Sequence, residues 1–306
     1  MVKKKFNELI STLRNPNRKS LEKLQTLVSI LQRKVKTVKR IRIMLKPKTP
    51  RFTGWGMTSK HALPWDIKNS TDAIGLKFYD VENNLKMLVR DGEFVLTQFQ
   101  NDGSYVADPL TILNGLSWRH FIVYWSATLA ARFNTSSCCN FVEAGTCDGL
   151  TIDFAISALE NELDRDSNYK ICLYDAWDAM KLEHLTTKES GAEGHYSYLS
   201  IDRTRANLRQ FDEHCEFVKG YIPEVFSENP GPDNLSWLHI DLNSSMPTQK
   251  TLEQFVPKLL SGGVVLFDDY GHGGYSETKK VADEFFSKKD GILMPLPTGQ
   301  AIFFKR

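Results

Sequence analysis

The chain has 306 residues, 41% hydrophobic and 25% charged, with a formal net charge of +2. That is enough to bury a sizeable core, and the balance is that of a globular protein rather than a disordered or fibrous one. No apolar run approaches the ~18 residues that span a bilayer, and no apolar stretch follows the N-terminal lysines, so neither a membrane span nor a secretory signal is expected. The five cysteines (138, 139, 147, 172 and 215) are odd in number and lack metal-finger spacing, which points to reduced thiols in a cytoplasmic protein.

The charge is unevenly spread. Residues 1–50 hold 15 Lys/Arg against Glu8 and Glu22, leaving 24 basic and 35 acidic side chains in the remainder. Residues 1–46 read as two helices broken near Asn15-Pro16-Asn17, with Leu21, Leu24, Leu27, Val28, Leu31 and Val35 at helical spacing. A helix with an apolar stripe and a basic face suits peripheral contact with an anionic membrane, or packing on the body or on a second copy in a homo-oligomer. No nucleic-acid partner is expected. Residues 51–75 mix Gly, Trp and Pro and read as an ordered loop. Leu85–Arg90 and Glu93–Phe99 flank Asp91-Gly92 and predict a β-hairpin with a tight turn. Residues 111–133 place Leu113, Leu116, Phe121, Tyr124, Trp125 and Leu129 at helical spacing.

From residue 140 onward strands and helices alternate. Strands are expected at 140–145, 170–174, 215–219, 236–241, 263–268 and 301–305, with helices near 150–163, 201–212, 248–260 and 276–288. The fold class is α/β: a doubly wound, mostly parallel Rossmann-like sheet with an antiparallel C-terminal edge strand and a helical N-terminal extension. The division is a basic extension over 1–50, a lead-in over 51–135 and the α/β domain over 136–306.

The chemistry-bearing residues stand at strand ends, where ligands bind in such sheets. Phe141-Val142-Glu143-Ala144-Gly145-Thr146-Cys147-Asp148-Gly149 reads as strand, glycine turn, helix. The glycines either simply form the turn or let the backbone approach a nucleoside-like ligand such as S-adenosylmethionine (SAM). Asp175 ends the next strand and is either a turn residue or an acceptor for ribose hydroxyls. Asp241 ends Trp237-Leu238-His239-Ile240, and Asp268-Asp269 end Val264-Val265-Leu266-Phe267. Singly, such acids cap loops or pair with a Lys or Arg. Three together at successive strand ends suit a divalent cation with oxygen ligands, Mg²⁺, Mn²⁺ or Ca²⁺ rather than zinc.

These segments, with Leu173-Tyr174-Asp175, Val218-Lys219-Gly220, Gly262-Gly263-Val264-Val265, Asp268-Asp269-Tyr270-Gly271, Pro297-Thr298-Gly299-Gln300 and the upstream Gly56-Met57-Thr58-Ser59, resemble the macrocin-type (TylF-like) sugar O-methyltransferases. These are class I SAM-dependent enzymes assisted by a metal. The resemblance covers residues 140–305 and leaves out 1–50. It implies that Glu143, Gly145, Thr146 and Gly149 hold the methionine part of SAM and Asp175 the ribose, with Thr58, Tyr174 and Gly220 as further cofactor contacts. It also implies that Asp241, Asp268 and Asp269 bind Mg²⁺, and that the acceptor is a sugar hydroxyl of a glycosylated small molecule or a glycan.

One position departs from the family. His-Ile-Asp-x-Asp is usual, and here the second acid is Asn243, which cannot accept a proton at neutral pH. The general base is then sought elsewhere, with His272 the nearest titratable residue. His239 is expected to support the metal ligands from behind. A catechol-type O-methyltransferase, or a SAM-binding protein without turnover, are the alternatives.

Overall fold

The computed structural model describes residues 73–97, 108–163 and 168–306. The basic extension and residues 51–72, Thr58 among them, lie outside the described residues, while the last three residues of the expected 51–75 loop, Ala73–Gly75, are helical. Helix α1 (Ala73–Arg90) and helix α2 (Pro109–Arg132) lead into the sheet. Next come β1 (Cys138–Ala144), α3 (Leu150–Glu162), β2 (Asn168–Asp175), α4 (Ile201–Asn207), β3 (Cys215–Lys219) and β4 (Leu235–Ile240). The chain continues through α5 (Ser245–Phe255), β5 (Leu259–Phe267), α6 (Ser276–Phe286), β6 (Gly291–Pro295) and β7 (Ala301–Lys305).

The expected hairpin at 85–99 does not form over the described residues: 85–90 are the end of helix α1, and 91–97 follow it as a turn and an irregular segment. Asp91-Gly92 does supply a positive φ, +77° at Gly92, but it uses it to stop α1. Glu93 N–H donates to Leu88 O (2.8 Å) and Gly92 N–H to Val89 O (3.3 Å), the pair of bonds that closes a helix on a left-handed glycine. Phe78 and Leu85, buried along one face of α1, carry the helical periodicity that the short window around the turn concealed. Helix α2 starts where Asp108 accepts from Thr111 N–H (2.9 Å) ahead of Pro109, a side-chain cap followed by a residue that needs no donor.

The seven strands run in the order β3-β2-β1-β4-β5-β7-β6. The first five are parallel, and β7 is antiparallel to both β5 and β6. The C-terminal strand is thus antiparallel as expected. The outermost place beside it goes to β6, whose partly exposed side chains and terminal proline give no alternating signal. Alternation along the strands divides the core. Phe141, Trp237, Val264 and Leu266 face α1, α2 and α3, while Val142, Leu238, Val265 and Phe267 pack with Leu252 and Phe255 of α5 and with Phe286 of α6. The Trp237 indole N–H, buried on the first face, is satisfied by Ser126 Oγ of α2 at 3.0 Å. The order of strands reverses between β1 and β4, so a crevice opens beyond their carboxyl ends.

Candidate active site

The sheet's hydrogen bonds continue past the strands and line up the candidate residues. Gly145 N–H donates to Tyr174 O (2.8 Å), Gly220 N–H to Asp175 O (3.0 Å), Asp241 N–H to Ala144 O (2.9 Å) and Asp268 N–H to Ile240 O (3.0 Å). Gly145 sits at φ +90°, and a Cβ there would lie 1.9 Å from Asp241 O. Only glycine therefore lets β1 turn this close to β4. Gly149, at φ +85°, begins α3 and stands over the Leu208 side chain.

Behind the turn a buried clasp holds it. The Asp148 carboxylate accepts from Thr97 N–H, Thr97 Oγ1 and Arg203 Nε, and Asn207 Nδ2 donates to Asp148 O. The Asp175 carboxylate braces the front: Oδ2 accepts from Cys147 N–H (2.8 Å) and Oδ1 from Trp177 N–H (2.6 Å). Burial pushes its pKa up, while these amides pull it back. Asp175 still borders the cleft, and a carboxylate oxygen can accept more than one bond. Tyr174 is different. Its side chain turns into the core against Phe226 and Phe255, its hydroxyl donates to Asn229 O (3.0 Å), and only its backbone serves the turn. The strand's two-residue period sends Tyr174 to the buried face when Asp175 meets the cleft.

Asp241, Asp268 and Asp269 do converge, with one oxygen from each within 4.8 Å of the others. A fourth group enters from a segment with no marked motif. Arg119 of α2 donates from Nε to Asp268 Oδ1 (2.5 Å), and its Nη2 pairs with Asp241 Oδ2 (3.2 Å) and with Asp268 Oδ2. Gln300 Nε2 adds a bond to Asp268 Oδ1 (3.0 Å). Asn243 borders the cleft at φ +54°, a left-handed position that asparagine tolerates. Its Nδ2 donates to Asp241 Oδ1 (3.3 Å), so it steadies an acid rather than acting as one. Burial raises Asp241, against the pull of Arg119, and burial together with Asp241 pushes Asp269 up to about 8.

Glu143 and His239 lie side by side on the face covered by α2. His239 Nδ1 and Glu143 Oε1 are 2.9 Å apart and fully buried, and His239 Nε2 approaches Asp268 Oδ1 at 3.9 Å. Burial pushes His239 down to about 3 and raises Glu143 well above the carboxylate range, with Asp241 and Asp175 adding to the latter. His239 is thus a neutral prop behind Asp268. The cleft is bordered by Gly145, Asp175, Gly220, Asp241, Asn243 and Asp269 among others, with a volume of about 240 Å³. A smaller hollow adjoins it, bordered by Arg119, Gly145, Thr146 and Asp241. His272 is exposed, with its ring against Tyr275 and its Nδ1 accepting from Gly274 N–H. It is not among the residues bordering either space, so the structure does not bring it to the cluster.

Residues 142–270, from β1 through the aspartate cluster, match the family model of a methyltransferase domain. This agrees with the expectation of a SAM-dependent methyltransferase. The structure of the O-methyltransferase NovP is 19% identical, over 76% of this chain and 99% of that one, with a TM-score of 0.58. The calicheamicin methyltransferase CalS11 is 15% identical over 74% of this chain and 91% of its own, with a TM-score of 0.48. The NovP likeness shows that the two share a fold. No curated protein matches the sequence. Among the described residues no helix is long and apolar enough to cross a membrane.

Proposed function

We propose that the methyltransferase domain is a SAM- and divalent-cation-dependent O-methyltransferase acting on a sugar hydroxyl, of the macrocin-type family. The observation that carries this is the meeting, in one cleft, of the glycine turn and Asp175 with the carboxylates of Asp241 and Asp269, which gather with the buried Asp268 behind them. The likeness to a protein named as an O-methyltransferase supports oxygen as the methylated atom. The motifs read in the sequence support the sugar.

The donor set fits a hard dication. It consists of oxygens alone, and Asp269 Oδ2 is buried without a hydrogen-bond partner. A dication bound there lowers the pKa of a hydroxyl it contacts and fixes its orientation. The protein's residues do the rest. The turn at Gly145 and Thr146 and the Asp175 carboxylate hold the cofactor. Asn243 keeps Asp241 oriented and Gln300 holds Asp268, with the buried Glu143–His239 pair packed behind it. The hydroxyl proton passes to water as the oxygen attacks the methyl group of SAM and S-adenosylhomocysteine leaves. The sulfonium is already an activated donor, so alignment of the oxygen with the methyl group is the main source of rate.

The test is methyl transfer from labelled SAM to a panel of glycosides and catechols, with Mg²⁺ and with EDTA. The reading expects labelled glycoside that disappears with EDTA and returns with excess Mg²⁺. Labelled catechols without labelled glycosides would place the protein with the catechol-type enzymes, and transfer indifferent to EDTA would remove the metal.

A further inference from the structure

Arg119 is the one feature of the site that neither the strand-end motifs nor the glycine turn foreshadow. Its guanidinium bridges two of the three carboxylates expected to hold the cation, Asp241 and Asp268. A cation sharing those oxygens and a guanidinium bridging them cannot both be accommodated. Resting on the metal-dependent reading above, we propose that Arg119 is the site's resident cation: it bridges Asp241 and Asp268 until a divalent ion displaces it.

Three observations carry this. First, charge: three acids packed within 4.8 Å need a counter-ion, and stripping a buried carboxylate of its charged partner is costly. Arg119 is the Lys or Arg bordering the cluster among the described residues. Second, geometry: a guanidinium presents several donors in a flat fork and can serve two carboxylates at once, which a lysine ammonium does less well. Third, room: Arg119 borders both the main cleft and the adjoining hollow beside Gly145 and Thr146. Its side chain thus stands at the boundary of open space rather than locked in the core. Its side chain is only 30% exposed, and Asp268 is buried. Release of the guanidinium thus exchanges one partly enclosed cation for another and leaves no acid bare.

The experiment is calorimetric titration of the full chain with Mn²⁺, free of SAM and acceptor, for wild type, Arg119→Lys and Arg119→Gln. Thermal unfolding of each is followed with and without Mn²⁺. Competition predicts Mn²⁺ affinity in the order Gln variant, Lys variant, wild type, with the Gln variant at least about tenfold tighter, about 1.4 kcal/mol. It also predicts that the Gln variant melts lower than wild type without metal and gains more from Mn²⁺ than wild type does, because the ion stabilises whatever it binds. The Lys variant separates bridging from charge: a mere bystander charge would leave it equal to wild type. Equal affinities in all three proteins, or tightest binding by wild type, would overturn the proposal and leave the metal site standing. Absence of binding even in the Gln and Lys variants would overturn both the proposal and the metal-dependent reading.

Discussion

Replacing Gly145 with alanine isolates the close approach of β1 and β4 on which the site depends. Two glycines with φ similar to the +90° of Gly145 provide internal controls: Gly92 at +77° and Gly149 at +85°. A Cβ on Gly92 meets nothing within 4 Å, so Gly92→Ala reports backbone strain alone, about 1 kcal/mol after the unfolded-chain entropy gained by losing a glycine is allowed for. On Gly149 the new methyl meets the Leu208 side chain at 3.0 Å. A leucine can shift its rotamer for about 1 kcal/mol more, giving about 2 in total. On Gly145 the obstacle is the carbonyl oxygen of Asp241 at 1.9 Å. Backbone cannot rotate away, so the strand ends must part and the bond from Asp241 N–H to Ala144 O is lost or stretched. Strain plus a broken buried bond comes to about 4 kcal/mol. Urea denaturation followed by tryptophan fluorescence gives the three stabilities, and titration with S-adenosylhomocysteine gives the accompanying affinities. The prediction is the order Gly92→Ala, Gly149→Ala, Gly145→Ala, with only the last abolishing measurable binding at micromolar protein. A Gly145→Ala protein as stable as Gly149→Ala, or one that still binds the product, would refute the role given to the close approach.

Further outcomes follow from the same geometry. Asp148→Ala removes the partner of Arg203 and of Thr97, and should cost about 3–5 kcal/mol in urea unfolding because a charged group loses its buried partner; a loss under about 1 kcal/mol would deny the clasp its role. Asp153 is fully buried in α3, and burial raises its pKa from the ordinary 3.8 to about 7. Its contribution to stability is therefore complete below about pH 4 and is lost as pH rises through about 7, up to about 4 kcal/mol. Asp153→Asn should remove that loss, so its stability relative to wild type rises from pH 5 to pH 8; parallel pH profiles would contradict this. Asn243→Ala should weaken Mn²⁺ binding by about tenfold, the usual effect of losing a group that orients a ligand, while Asp269→Asn should weaken it further. Calorimetry compares the two, and an unchanged affinity in Asn243→Ala would count against the bond to Asp241.

The sheet was readable because β2, β4 and β5 carry apolar runs that lead into Asp175, Asp241 and Asp268, and the spacing leaves room for a helix between most of the strands. The same two-residue alternation explains the convergence of Glu143, His239 and Asp268 on the face that α2 covers. Other features were not legible. Asp91-Gly92 meets the backbone demand of a hairpin turn and of a helix stop equally well, and only the burial of Phe78 and Leu85 decides between them. Tyr174 and Asp175 are neighbours in sequence, yet the pleat separates them into core and cleft. His272 follows the aspartates by a few residues, but the loop carries it outward. Arg119 lies 122 residues before Asp241, so no local pattern links them. Its one signal is a guanidinium within the apolar helical run Leu116-Ser117-Trp118-Arg119-His120-Phe121, where a charge needs a buried partner.

The central claim is that cation and cofactor share one cleft. Paramagnetic broadening by Mn²⁺ of the methyl resonance of SAM labelled with carbon-13 at the methyl group, bound to the protein, tests it directly. The account predicts strong broadening in wild type that is lost in Asp269→Asn while SAM stays bound. A sharp methyl resonance from bound SAM at saturating Mn²⁺ in the wild type would contradict it.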